Sequence, residues 1–274
     1  MYKINCFFIC IIVCYCLLFS SNIVFAQEWK KVTNDTEIFE KGYIQVIGVS
    51  AKGQSEYNAL RAATVVAQRD LLEVFQGVTI RGNSTIKDGL ITDSSIQTSV
   101  SGFLRGAVKI GEIYYPDKGY AKVCLRLNLK GSGGLYDTIM PSLQSGGMLV
   151  QAESKYKAEA WKSGKDGLII DLRGKKFRPA IANRILTDKG EVFYDHSNVT
   201  PSVLAQRGSA GYTNDIAKAK AILSELGADN ALIIKAEDVK NITDAVINSK
   251  DADTIFKENN KSNFLAGAKL VFVL

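Results

Sequence analysis

The chain has 274 residues, a formal net charge of +6, five cysteines and one histidine. At 46% hydrophobic and 23% charged it can bury a real core, and its length suits one large or two ordinary domains. Cys6, Cys10, Cys14 and Cys16 crowd the N-terminus and leave Cys124 alone, which excludes a disulfide framework and a Cys–Cys or Cys–His zinc site.

Residues 1–26 read as a secretory signal peptide. Lys3 gives a short positive start, Cys6 to Phe19 is nearly all apolar, and Val24-Phe25-Ala26 supplies a cleavage site before Gln27. The alternative is an uncleaved anchor, since Ile4 to Gln27 carries no charge. The polar Ser20-Ser21-Asn22 step favours cleavage. None of the early cysteines follows a small residue, so a lipid anchor fits poorly. A single remaining thiol suits an oxidising compartment.

Residues 27–41 form a lead, and 42–130 read as an α+β domain. Gly42 to Val49 alternates as a strand, with Ile44 and Val46 opposite Tyr43 and Gln45. A helix capped by Ser55 is predicted to run to about Gln76, its apolar stripe Leu60, Ala63, Ala67, Leu71, Val74 and Phe75, with a left-handed stop at Gly77. Val78 to Ile86 is predicted as a strand, Asp93 to Val100 as a short helix, and Gly102 to Gly106 as a tight connection. Val108–Tyr115 and Tyr120–Leu129 make a hairpin around Pro116-Asp117-Lys118-Gly119. The expected fold here is a long helix on a mostly antiparallel sheet.

Residues 131–165 read as an inter-domain connection with helical segments, one of them from Met148 to Trp161. Residues 166–274 read as a second α+β domain. Its strands are Leu168–Ile170, two around Asp188-Lys189-Gly190, Ala231–Ala236, Ile242–Ile247 and Ala268–Leu274. Its helices are Asn214–Leu226 and Asp251–Glu258.

The candidates for chemistry are few. His196 follows a strand in a polar stretch, with no thiol or paired base near it in sequence, and reads as solvated. Asp166 and Asp171 flank one strand, which would put them ~17 Å apart, too far for shared acid–base work. Cys124 alternates within a strand and reads as a packing residue. Gly131-Ser132-Gly133-Gly134 lacks the lysine of a phosphate loop. The Asn83, Asn198 and Asn241 triplets match a glycosylation pattern that matters only in a eukaryotic pathway. Arg173, Lys175, Lys176 and Arg178 are the densest basic run and the one candidate interaction surface. No enzyme, cofactor, metal or nucleic-acid reading survives.

Gly42 to Val49, Arg61-Ala62-Ala63, Ala67 to Glu73 and Val100 to Gly106 together resemble the LPP-twenty lipoprotein family of the bacterial envelope. Asp166 to Asp171 and Phe177-Arg178-Pro179-Ala180 resemble the downstream half of its longer members. The resemblance implies an SHS2-like helix-on-sheet N-terminal domain and a non-catalytic envelope role. Related proteins of the FlgP and FlgT type build rings or disks around the flagellar motor. The chain departs from the family in lacking a lipobox cysteine. The expected function is an exported structural or assembly protein of the periplasm or outer membrane, acting through protein partners and self-association. The alternative is a periplasmic module that binds a small ligand between its domains.

Overall fold

The computed structural model describes residues 28–149 and 164–274. The signal segment, its cleavage point at Ala26 and Gln27, and most of the helix expected from Met148 to Trp161 lie outside the described residues. The fold is α+β in two domains.

Helix α1 (Asp35–Lys41) falls in the lead, where no element was expected. Asn34 caps it, its side-chain oxygen accepting from the Glu37 N–H at 2.9 Å. Strand β1 (Tyr43–Val49) follows, then α2 (Glu56–Gln76), the long helix anticipated from periodicity. Ala59, Ala63, Ala67, Leu71 and Phe75 recur every four residues and are buried. The small residues bring the helix close: a Cβ on Gly48 of β1 would stand 2.1 Å from the Ala63 carbonyl oxygen. Two expected details differ. Ser55 makes no side-chain cap bond, and Gly77 stops the helix at φ −77, outside the left-handed region.

The predicted strand Val78–Ile86 is instead two short ones, β2 (Thr79–Arg81) and β3 (Ser84–Thr85), because Gly82 reverses the chain at φ +58. Helices α3 (Ile86–Thr92) and α4 (Ser94–Arg105) come next. The latter runs through Gly102, where a tight connection was expected; Phe103 is buried and packs on Phe75 with ring centroids 5.1 Å apart. That aromatic contact outweighs the low helix propensity of one glycine. Strands β4 (Val108–Tyr115) and β5 (Tyr120–Asn128) form the expected hairpin, with Gly119 at φ +59 in the turn. The antiparallel sheet has the order β1-β5-β4, with α2 packed on β1 and β5.

The stretch expected to connect the domains is core in its first half. Helices α5 (Leu135–Thr138) and α6 (Met140–Ser145) bury Leu135, Tyr136, Ile139, Met140 and Leu143. Leu135 to Leu143 reads as a short apolar piece within the connection, and five of its nine residues are buried.

The second domain runs β6 (Gly167–Asp171), β7 (Arg184–Thr187), β8 (Val192–Tyr194), a 3-10 turn (His196–Asn198), α7 (Pro201–Arg207) and β9 (Gly211–Thr213). It continues with α8 (Ile216–Glu225), β10 (Ala231–Lys235), β11 (Asp238–Lys240), β12 (Asp244–Ile247), α9 (Ser249–Ser262) and β13 (Leu270–Val273). One sheet, β10-β6-β13-β9, is wholly parallel; the other, β11-β12-β7-β8, is mixed. The unbroken apolar runs at Leu168–Ile170 and Leu270–Val273 follow from this, since a parallel sheet is covered on both faces. Ala219 and Leu223 of α8 cover Ile169, Val271 and Val273, while Leu168, Ile170, Leu270 and Phe272 face the main core. Burial of each such side chain is worth ~1.5–3 kcal/mol.

That main core includes residues of both domains. Phe39 of α1 lies against Tyr212 of β9, and the Ile181 and Ala182 N–H groups bond to the Thr79 and Ile80 carbonyls of β2, each at 3.0 Å. The first domain thus lends a strand segment to the second.

Candidate interaction surface

The basic run does not form one patch. Arg173 donates to the Asp171 carboxylate from Nε and Nη2 at 2.9 and 2.7 Å. Those bonds hold the Asp171 carboxyl below the usual range. Lys175 donates through Nζ to the Glu237 carbonyl. Lys176 is exposed. The Arg178 N–H bonds to the Ile242 carbonyl at 2.7 Å, and its guanidinium lies 4.0 Å from Asp35. Three of the four side chains therefore have partners within the chain, at the end of β6, beside β11 and at the domain junction.

The remaining candidates are architectural. Asp166 accepts from the Asp229 and Asn230 N–H groups at 3.0 and 2.8 Å, pinning the loop that enters β10. Cys124 is fully buried in β5, and desolvation pushes its thiol up, away from the reactive thiolate. His196, expected in solvent, is only 1% exposed. The 3-10 turn that carries it draws the ring under α7 and α5, beside a cavity of about 140 Å³ lined also by Tyr136, Asp137, Gln144 and Leu204.

Two buried polar groups had no sequence signal, because their partners are distant along the chain. Asn183 accepts from the Ala180 N–H at 2.7 Å and the Tyr212 hydroxyl at 2.7 Å, and donates to the Thr243 carbonyl at 2.6 Å. Arg184 grips Asp244 with Nε and Nη2 at 3.1 and 2.6 Å. The Asp244 side chain is fully buried and receives a third bond from Asn241 at 3.0 Å. Across the junction, Thr243 Oγ1 accepts from the Gly82 N–H at 2.8 Å. Thr79 donates to Asp35 at 2.9 Å, although burial still raises that carboxyl. Asn183 and Thr243 hold backbone in place, while the Asp244 and Asp35 bonds join side chains of different elements.

The unspent features are sheet edges and the apolar side chains beside them. Strand β4 ends the antiparallel sheet with Val108 51% and Ile110 36% exposed. Strand β10 ends the parallel sheet with Ile233 43% exposed. An open groove of about 630 Å³ runs along the last residues of β10, walled by Lys175, Glu237, Asn248 and Asp251.

Among the described residues no helix is long and apolar enough to cross a membrane, and no three His, Cys, Asp or Glu side chains are grouped to hold a metal ion. A family model described as Treponema pallidum Tp0624, second domain, matches residues 167–274. That match opens at the first residue of β6 and covers the second domain. No curated protein matches the chain.

Proposed function

We propose that the chain is an exported, non-enzymatic structural or assembly protein of the bacterial cell envelope that works through protein–protein contacts. The observation that carries this reading is the open edge of β10 with its exposed Ile233, together with the exposed apolar Val108 and Ile110 on β4. Unpaired N–H and C=O groups beside apolar surface form a template for another chain. The signal-like N-terminus supports export. The sequence resemblance to the LPP-twenty family supports an envelope role and extends it to a flagellum-associated ring or disk. Association with the outer membrane then comes through partners, since no lipobox cysteine is present. The test is cross-linking in intact cells followed by envelope fractionation. The proposal expects cleavage at Ala26 by intact mass and adducts with envelope proteins; a cytoplasmic chain without adducts overturns it.

The cavity beside His196, where α5 and α6 of the connecting stretch meet α7 of the second domain, favours a second reading, a small-ligand module. A ligand that binds the folded state raises the melting temperature by mass action. A thermal-shift screen of periplasmic metabolites with no hit removes it.

A further inference from the structure

The free edges of the fold are not equivalent. On β4 the ladder to β5 is interrupted by a bulge at Lys109–Gly111, and Lys109 pairs with Glu112 at 2.7 Å. Bulges and charges of this kind blunt an edge against further pairing. Strands β8 and β11 have only three residues each. Strand β9 has α1 against it, and β1 is bridged on its outer side, where Gln45 and Val32 exchange backbone bonds at 2.9 and 3.1 Å. Strand β10 differs from all of these: its five residues pair with β6 in unbroken register, and among the described residues no strand lies on its other side.

The direction of its free groups follows from one bond. The Ala236 N–H donates to the Asp171 carbonyl on β6. In a parallel ladder alternate residues bond to the same neighbour, so Leu232 and Ile234 also face β6. Ala231, Ile233 and Lys235 then turn their N–H and C=O groups outward, where the Ala231 carbonyl accepts from Lys165 Nζ at 3.4 Å, with their side chains on the face that α8 covers only in part. Asp229 shares that face, since it accepts a bond from Ser224 of α8 at 2.6 Å.

We infer that β10 pairs antiparallel with β10 of a second copy of this chain, about a two-fold axis through Leu232, joining two parallel sheets into one of eight strands. This rests on the reading of the chain as an assembly protein and names the surface. Charge selects the register. Centred on Leu232, the pairing sets Lys235 opposite Asp229 of the other copy, twice, and sets the exposed Ile233 opposite Ala231. Centred one residue on, at Ile233, it sets Glu237 against Asp229, like against like, which is unfavourable. A two-fold contact of this kind is self-complementary and closes at the dimer. The groove along Ile233 to Glu237 receives the incoming strand.

The test is sedimentation equilibrium on the full exported chain at rising concentration. The wild type is expected to dimerise. Ile233→Pro is expected to be monomeric, because it deletes an outward N–H that the fold itself does not use. Lys235→Glu and Asp229→Lys are each expected to be monomeric, since each sets like charges opposite one another. Mixed one to one, those two variants are expected to form a heterodimer, in which both cross-strand pairs are again of opposite sign. A wild type that stays monomeric at all concentrations overturns the inference and leaves the envelope reading to its own cell-based test. So does a dimer that all three variants retain, which places the contact elsewhere. Protection of the Ile233 and Lys235 amides from hydrogen exchange by an added foreign protein, with no homodimer, overturns it in favour of a foreign strand.

Discussion

Replacing Gly48 with alanine tests the packing of α2 on its sheet. The added Cβ would stand 2.1 Å from the Ala63 oxygen and 2.4 Å from the Ala67 nitrogen. Both are backbone atoms, so no rotamer change relieves the contact. A carbon–oxygen contact of ordinary length is about 3.3 Å, so α2 must retreat by about 1.2 Å. Overpacking of a rigid core costs ~1–3 kcal/mol, and a clash with main chain belongs at the upper end. Removing the Ala67 side chain as well should not rescue the variant, because the Ala63 oxygen remains. Gly102→Ala is the control: nothing lies within 4 Å of its Cβ, and it sits inside α4. That change should stabilise by ~0.5–1 kcal/mol through helix propensity. Urea unfolding followed by circular dichroism reads both. With a slope of ~1–3 kcal/mol/M, the Gly48→Ala midpoint falls by about 1 M or more. A loss below ~1 kcal/mol would refute the close approach of helix and strand.

Three further outcomes are expected. Arg184→Met leaves the buried Asp244 carboxylate without its cation and should cost ~3–5 kcal/mol in the same assay, whereas the double change with Asp244→Leu should recover most of it. Cys124 should react with a thiol reagent only as the domain unfolds, because its thiol is buried; fast labelling of the native protein would contradict that. Hydrogen bonds from Lys165 and Lys261 hold the Glu258 carboxyl below its ordinary 4.5, and Asp88, Asp93, Asp171 and Asp188 are held below their ordinary 3.8. Groups lowered in this way stabilise the fold above the ordinary value and lose that contribution as pH falls through the folded one. Melting temperature should therefore drop as pH is lowered below 4.5, with Glu258→Gln removing its share of the slope. Asp35 acts in the opposite sense, since its raised carboxyl penalises the fold less as pH falls.

What could be read from the sequence was local and periodic. The stripe Ala63, Ala67, Leu71, Phe75 fixed the long helix, and Pro116 to Gly119 fixed the hairpin, because both signals lie within one element. The elements misread were those whose partners lie far away. Gly102 suggests a break until Phe103 is seen against Phe75. Leu135 to Leu143 is legible as a short apolar piece, but that it joins the main core depends on partners far along the chain. Asn183, Asp244 and Thr243 look like ordinary loop residues, yet their bonds span up to 161 positions. The basic run was visible by composition alone, and composition does not reveal that Arg173 folds back on Asp171. The open edge of β10 was also hidden, since which strands lie at the margins depends on a parallel order of β10-β6-β13-β9 that no turn signal encodes.

The proposal that the chain assembles through its surfaces is tested most directly by a photo-reactive side chain at position 233 in cells that export the chain. The expected result is a light-dependent adduct of twice the chain's mass in the envelope fraction, lost on Lys235→Glu. Light that yields no protein adduct from that position, with the chain correctly exported, would contradict it.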